Sequence, residues 1–205
     1  MPRASAMALV CGPGPRFALA QPIDSLGPPP PKGSIEVRET QDARMVLFPF
    51  GDSVHDWMAR DDGALLCATH PLSRERQVVL VTADGVQHVA PVPAWTCDFA
   101  LDGRHVLCAD PQNVSLLRLP DLALVQRHAG HARWLRAIDP VLAIAYSIGN
   151  GPVVLTVWHV PTLQPLAQLS VDDGPYEPMC AAVDRHRRWL AIAANQRVKL
   201  FAIVR

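Results

Sequence analysis

The chain has 205 residues, 49% of them hydrophobic, with Lys plus Arg and Asp plus Glu balanced at 19 each. That length and apolarity suffice for a packed core and argue against bulk disorder. A formal net charge of zero supplies no global field to draw the chain to nucleic acid, an anionic membrane or an acidic ligand.

Five cysteines, with no Cys-x-x-Cys pair, point to reduced side chains and a cytoplasmic location. Cys67 and Cys108 lie inside apolar runs, where a thiol behaves as a small hydrophobe. Arg3, the apolar Ala6 to Val10 and Ala18-Leu19-Ala20 imitate a secretion signal, but Gly12-Pro13-Gly14-Pro15 cuts the apolar stretch too short for one. No run approaches the roughly 18 apolar residues of a membrane-spanning helix.

In chain order the apolar runs read as short strands, in five groups. Residues 6–52 hold Ala6 to Cys11, Arg16 to Gln21, Ser34 to Glu39 and Arg44 to Phe48. Residues 53–93 hold His55 to Ala59, Ala64 to Thr69, Gln77 to Thr82 and Val86 to Val89. Residues 94–133 hold Trp95 to Phe99, His105 to Asp110, Val114 to Leu119 and Leu122 to Arg127. Residues 134–178 hold Trp134 to Ile138, Val141 to Ser147, Val153 to Val160 and Leu163 to Leu169, and residues 179–205 hold Met179 to Val183, Trp189 to Ala194 and Arg197 to Ile203. The second run of each group is nearly continuously apolar, as for a strand covered on both faces. Ser34 to Glu39 alternates, as a half-exposed strand does. Prolines fall mostly between the runs, and helix signals are nearly absent.

Tight turns at Asp62-Gly63, Asp102-Gly103, Asp139-Pro140 and Asp184-Arg185 recur at offsets of 40, 37 and 45 residues, and Trp57, Trp95 and Trp134 recur at 38 and 39. A period of about 40 residues built of four short strands is the mark of a β-propeller blade. The expected fold is therefore a single all-β domain, a β-propeller of about five blades of antiparallel strands with its last blade incomplete. A fragment of a larger propeller fits the same pattern. An unfinished blade exposes an unpaired edge that invites another strand.

Residues 128–168 carry Gly130-His131, a strand opening at Trp134, Ser147, Asn150 in a tight turn, and a strand closing on Trp158-His159. This stretch resembles a WD-repeat unit, and the chain is similar to divergent WD-repeat propellers in strand pattern. The resemblance implies that His131, Ser147, Asn150 and Trp158 form a structural hydrogen-bonded network. It departs from that family in having one Gly-His pair and no Trp-Asp pair. The resemblance further implies that the loops from Pro22 to Gly33, Pro71 to Arg76, His128 to Arg133 and Val171 to Pro178 share one rim. That rim holds Arg74, Arg76, His128, Arg133, Asp172, Asp173, Tyr176 and Glu177, the mixture of aromatic, Arg and charged groups found at protein interfaces.

Other motifs carry less chemistry. Phe50 to Asp56 resembles the Gly-Asp-Ser block of GDSL hydrolases, but the Asp-x-x-His block and the β/α alternation that such an enzyme needs are missing, so a connecting loop is expected. His128 and His131 have a metal-like spacing without further ligands nearby. Asn113-Val114-Ser115 has the form of a glycosylation sequon at a strand start. Pro28 to Pro31 read as a stiff spacer, and Arg185 to Arg188 as a solvated turn. The sequence asks for no cofactor or metal. It leads to a non-enzymatic scaffold presenting loops on one propeller face to another protein or complex, with strand pairing at the last blade as a further mode of contact. The alternatives are a small-molecule binder or hydrolase with a central-channel site, and a structural subunit whose last blade pairs with a neighbouring chain.

Overall fold

The computed structural model describes residues 7–10, 16–20, 34–39, 43–47, 53–60, 62–70, 75–82, 84–147, 153–171, 180–184, 186–194 and 197–204. These divide between two compact units, Met1–Ala94 and Trp95–Arg205. All regular structure among them is strand, apart from one 3-10 turn at Val160–Thr162.

The first unit holds two four-stranded antiparallel sheets. One runs β1 (Met7–Val10), β2 (Arg16–Ala20), β3 (Ser34–Glu39), β4 (Ala43–Leu47), and the other β5 (Ser53–Ala59), β6 (Leu65–His70), β7 (Gln77–Val81), β8 (Gln87–Ala90). Leu65 to Thr69 and the whole of β7 are buried. These are the apolar runs that no alternation interrupts, and they occupy the middle of their sheet.

The second unit holds three sheets in meander order. The third sheet of the chain is β9 (Thr96–Phe99), β10 (His105–Ala109), β11 (Asn113–Arg118) and β12 (Ala123–Ala129). The fourth is β13 (Trp134–Ala137), β14 (Leu142–Ser147), β15 (Val153–His159) and β16 (Gln164–Val171). The fifth has three strands, β17 (Cys180–Val183), β18 (Trp189–Ala194) and β19 (Arg197–Ala202).

Alternate side chains of one sheet pack on the next. Leu107, Ala109, Val114 and Leu116 of the third sheet form one buried cluster with Leu135, Ala137, Ala143, Ala145 and Trp158 of the fourth. Trp134, Ile144, Tyr146, Val153 and Leu155, on the other face of the fourth sheet, cluster with Leu190 and Ile192 of the fifth. Small Ala residues opposite larger side chains let the sheets approach closely, and each fully buried Leu or Val contributes about 1.5–3 kcal/mol. The outer strand β16 is exposed along nearly its whole length, and among the described strands it pairs with β15 alone.

Buried thiols belong to this packing. Burial, with the Asp110 carboxylate adding to it, pushes Cys108 up to about 12. Burial, then Asp56, likewise raises Cys67 far above its ordinary value. Both stay protonated at neutral pH, as small hydrophobes do.

The recurring aspartates cap the hairpins that join first to second strands. Asp62 Oδ1 accepts the Ala64 amide at 3.1 Å, and Asp102 Oδ1 the Arg104 and His105 amides at 2.8 and 3.1 Å. Asp139 Oδ1 accepts the Val141 and Leu142 amides, and Asp184 Oδ1 those of Arg188 and Trp189. This is Asx-turn chemistry, in which a short carboxylate satisfies amides that the turn leaves without a ladder partner. Gly63 and Gly103 supply the positive φ of 85° and 71°, whereas Arg187 takes φ 56° in the fifth sheet.

The hairpins are closed by the amides of Arg60, Ala100, Ile138 and Asp184. Asp62 and Asp102 therefore lie two residues beyond the closing residue, Asp139 lies one beyond, and Asp184 is itself that residue. The tryptophans stand three, five and four residues before the first three of these amides, so neither marker keeps a uniform structural phase.

These caps predict an acid limit of stability. The side-chain hydrogen bond from Arg60 lowers the pKa of Asp62, and the amide of Trp189 lowers that of Asp184. For Asp102, partial burial acts upward but is outweighed by hydrogen bonds from the His105 ring and the two amides, so its pKa also falls. A depressed folded pKa contributes stability that is present above the unfolded value of about 3.9 and is lost as pH falls through the folded one. Urea midpoints are expected to hold from pH 7 to about 5 and to drop below about 4. The acid drop should be smaller in Asp102→Asn than in the parent; an equal drop would show that this carboxylate is not part of it.

Candidate protein-interaction surface

In an antiparallel meander the connections alternate between the two ends of the sheet. Second-to-third-strand loops therefore share an end with the loops that lead into the next sheet. In the second unit that end is built around Asp110, which is buried and whose Oδ1 accepts the Gln112 and Asn113 amides at 2.6 and 2.7 Å. The Gln112 carbonyl accepts the Gly130 amide at 2.9 Å, the Asp110 carbonyl accepts that of Ala132 at 3.3 Å, and the Tyr146 carbonyl accepts that of Arg133 at 2.9 Å. Backbone bonds thus hold the loop after β12 against the loop after β10 and the end of β14.

On this fixed frame the Arg133 guanidinium lies 5.9 Å from the centroid of the Trp95 ring. Arg133 is exposed and Trp95 half-buried, so a cation and an aromatic face are offered together at one loop end. Arg133 was legible as a loop residue of the rim. Trp95 was not, because its position read as the first residue of a strand, whereas β9 begins one residue later.

His128 lies in β12 rather than in the loop expected to start there, and it meets Trp158 of β15. The His128 ring stands edge-on to Trp158, with centroids 5.6 Å apart and planes at 73°. Its Nδ1 donates to the Ala129 carbonyl at 2.7 Å. Trp158 is buried, and its indole N–H has no hydrogen-bond partner among the described residues. Its six-membered ring occupies the space above Gly130, where a Cβ would stand 2.6 Å from Cη2. His131 is exposed and Ser147 half-buried, so the ring that reaches Trp158 is that of His128. Asn150 lies outside the described residues.

Of the other rim residues, Arg76 is half-buried ahead of β7 in the first unit. Arg74, Asp172, Asp173, Tyr176 and Glu177 lie outside the described residues, as do Phe50 to Asp52 and Pro28 to Pro31. Ser53 to Asp56 form the start of β5 rather than a loop, so Ser53 stands within a ladder, paired with His70. Among the described residues no three His, Cys, Asp or Glu side chains are grouped as metal ligands.

The polar groups on the first strands of the third and fourth sheets are committed to structure. Thr96 Oγ1 accepts the Leu135 amide at 3.2 Å and Asp98 Oδ2 the Ala137 amide at 2.9 Å, so two side chains of β9 satisfy the free edge of β13. Arg187 completes the join. Its Nη1 lies 3.7 Å from Asp98 Oδ2 and donates to the Ala137 carbonyl, linking the third, fourth and fifth sheets. Sequence reading placed Arg187 in a solvated turn; its positive φ instead turns it toward a carboxylate that is 1% exposed. The polar Thr96 and Asp98 in an otherwise apolar run were the available signal, since a buried polar group needs a partner.

No family model matches the chain, and no curated protein matches it. Solved structures do. The C-terminal WD40 domain of Sif2 is 13% identical over 91% of this chain, with a TM-score of 0.61. The β-propeller domain of Myceliophteria thermophila Cps50 (Swd1) is 12% identical over 98%, with a TM-score of 0.74. This chain spans 54% of the first and 66% of the second. At such identities the likeness shows the fold alone: the chain is a β-propeller, and its last sheet has three strands among the described residues.

Proposed function

We propose that the chain is a non-enzymatic scaffold that presents its second-to-third-strand loops, together with the loops between sheets, to another protein or complex. The observation that carries this reading is the Arg133–Trp95 pair, held at one loop end by backbone bonds to Asp110, Gln112 and Tyr146. A cation over an aromatic face on a rigid frame has the composition of an interface hot spot, since it offers area and charge with little entropy left to lose. His128 and Arg76 belong to the same proposal, as do Arg74, Asp172, Asp173, Tyr176 and Glu177.

The test is affinity capture with the intact chain, followed by titration of the captured protein. Arg133→Ala is expected to weaken that complex by about 2 kcal/mol, roughly thirtyfold, with an unchanged unfolding curve. Tyr176→Ala is expected to act in the same direction. Undiminished binding by both variants would remove the loop end from the interface.

A further inference from the structure

Two buried thiols of the third sheet face each other. Cys97 of β9 and Cys108 of β10 are directly opposed in the antiparallel ladder, and both are 0% exposed. The other cysteines of the described strands have no such neighbour: Cys67 stands opposite Trp57 and Val79, and Cys180 opposite Ala193.

The backbone bonds fix what kind of site this is. The Ala100 amide donates to the His105 carbonyl at 3.0 Å, which makes that pair a hydrogen-bonded one, and the register alternates back through Phe99–Val106 and Asp98–Leu107 to Cys97–Cys108. Cys97–Cys108 is therefore a non-hydrogen-bonded pair. The other side of β10 agrees, because the Asp110 amide donates to the Asn113 carbonyl at 2.9 Å, so that Cys108, two residues away, turns its backbone groups to Ser115 of β11. In a non-hydrogen-bonded pair the Cα atoms stand about 4.5 Å apart and the two side chains approach most closely. A disulfide spans Cα separations of about 4.4–6.8 Å, so these sulfurs can join with little backbone movement.

Burial controls when they can react. It pushes the Cys108 thiol up to about 12, with Asp110 adding to the effect and Arg127 opposing it, so Cys108 is inert while the sheet is closed. Opening need not be global. Among the described strands β9 has four residues and pairs with β10 alone, so the lifting of one short strand uncovers both thiols.

We propose that Cys97 and Cys108 are a redox pair, which a low-molecular-weight disulfide such as oxidised glutathione closes to a cross-strand bond when β9 lifts from β10. One thiol gives up its proton and attacks the glutathione disulfide, forming a mixed disulfide and expelling one glutathione thiolate. The facing thiol, deprotonated in turn, attacks the protein sulfur of that mixed disulfide and expels the second. Two electrons leave the pair, the two protons end on the released thiolates, and one oxidised glutathione becomes two reduced ones.

The bond acts on the join between sheets. Cys97 lies between Thr96 and Asp98, whose side chains accept the Leu135 and Ala137 amides of β13. Pinning β9 to β10 removes freedom from the opened state and so holds those acceptors in place.

The test is to refold the whole chain from urea in graded ratios of oxidised to reduced glutathione, then quench with acid, alkylate and digest with trypsin. Arg104 lies between the two cysteines, so cleavage leaves Cys97 on residues 77–104 and Cys108 on residues 105–118. These two peptides are expected as one disulfide-linked species, lost under excess reduced glutathione and unchanged in Arg133→Ala. In the folded oxidised chain the Leu135 and Ala137 amides should exchange with deuterium at least roughly tenfold more slowly than in the reduced chain. Cys97→Ala should abolish both the link and the slowing; should that variant not fold, the linked peptides and the exchange rates of the parent chain decide alone. Folded chain in which Cys97 and Cys108 remain alkylatable thiols, or are joined to glutathione or Cys67 instead of to each other, would overturn the proposal. So would a linked pair whose Leu135 and Ala137 amides exchange as fast as in the reduced chain.

Discussion

Replacing Asp98 by alanine is expected to destabilise the second unit by about 3–5 kcal/mol, the cost of breaking a buried ion pair from one side. The carboxylate is 1% exposed and serves two partners at once, the Ala137 amide at 2.9 Å and Arg187 at 3.7 Å. Its removal leaves the amide on the free edge of β13 without an acceptor and the guanidinium of Arg187 without a counter-charge. The edge then bears an orphaned donor between two sheets where water has poor access. Asp98→Asn keeps an acceptor for Ala137 and loses only the charge, so it should cost less. Urea unfolding of Asp98→Ala, Arg187→Met and the double variant measures the coupling; if the single losses simply add, the pair does not join the sheets.

Gly130→Ala is the second large effect, expected at about 1–3 kcal/mol as an overpacking penalty. The new Cβ would stand 2.6 Å from Trp158 Cη2 and 3.0 Å from Cζ2. The indole cannot swing away, because Trp158 sits in the cluster with Leu107, Leu116, Leu135 and Ala145, and the His128 ring stands against it. Trp158→Phe removes the offending atoms and leaves a smaller void, so in the Gly130→Ala background it should recover part of the loss. If Gly130→Ala proves neutral by thermal unfolding, the ring has room that the geometry denies it.

Much of the architecture was legible because strands announce themselves locally. Four-to-seven-residue apolar runs such as His105–Ala109 and Leu142–Ser147 are bounded by turn residues, and their ends fall within two residues of the expected positions. The capping aspartates were equally visible as residues, since an Asx turn needs only its own neighbours. They keep no common phase: Asp62 and Asp139 stand at different points of hairpins of equal length, as do Asp102 and Asp184. The candidate site was legible in part. Arg133 stands in a loop as expected, whereas His128, expected in the same loop, falls within β12, and Trp95 joins Arg133 only through the fold.

What the sequence determined by itself is therefore the set of short-range choices: strand, turn, the alternation of faces and a period near 40 residues. These depend on neighbours a few positions away, whose chemistry is written in order along the chain. The tertiary structure alone decided which polar groups become partners. Thr96 and Asp98 meet amides of Leu135 and Ala137 about 39 residues on, and Arg187 reaches Asp98 across 89 residues. Such pairings arise only when sheets stack, because burial leaves a polar group no water to turn to, and the partner within reach is set by packing rather than by sequence distance.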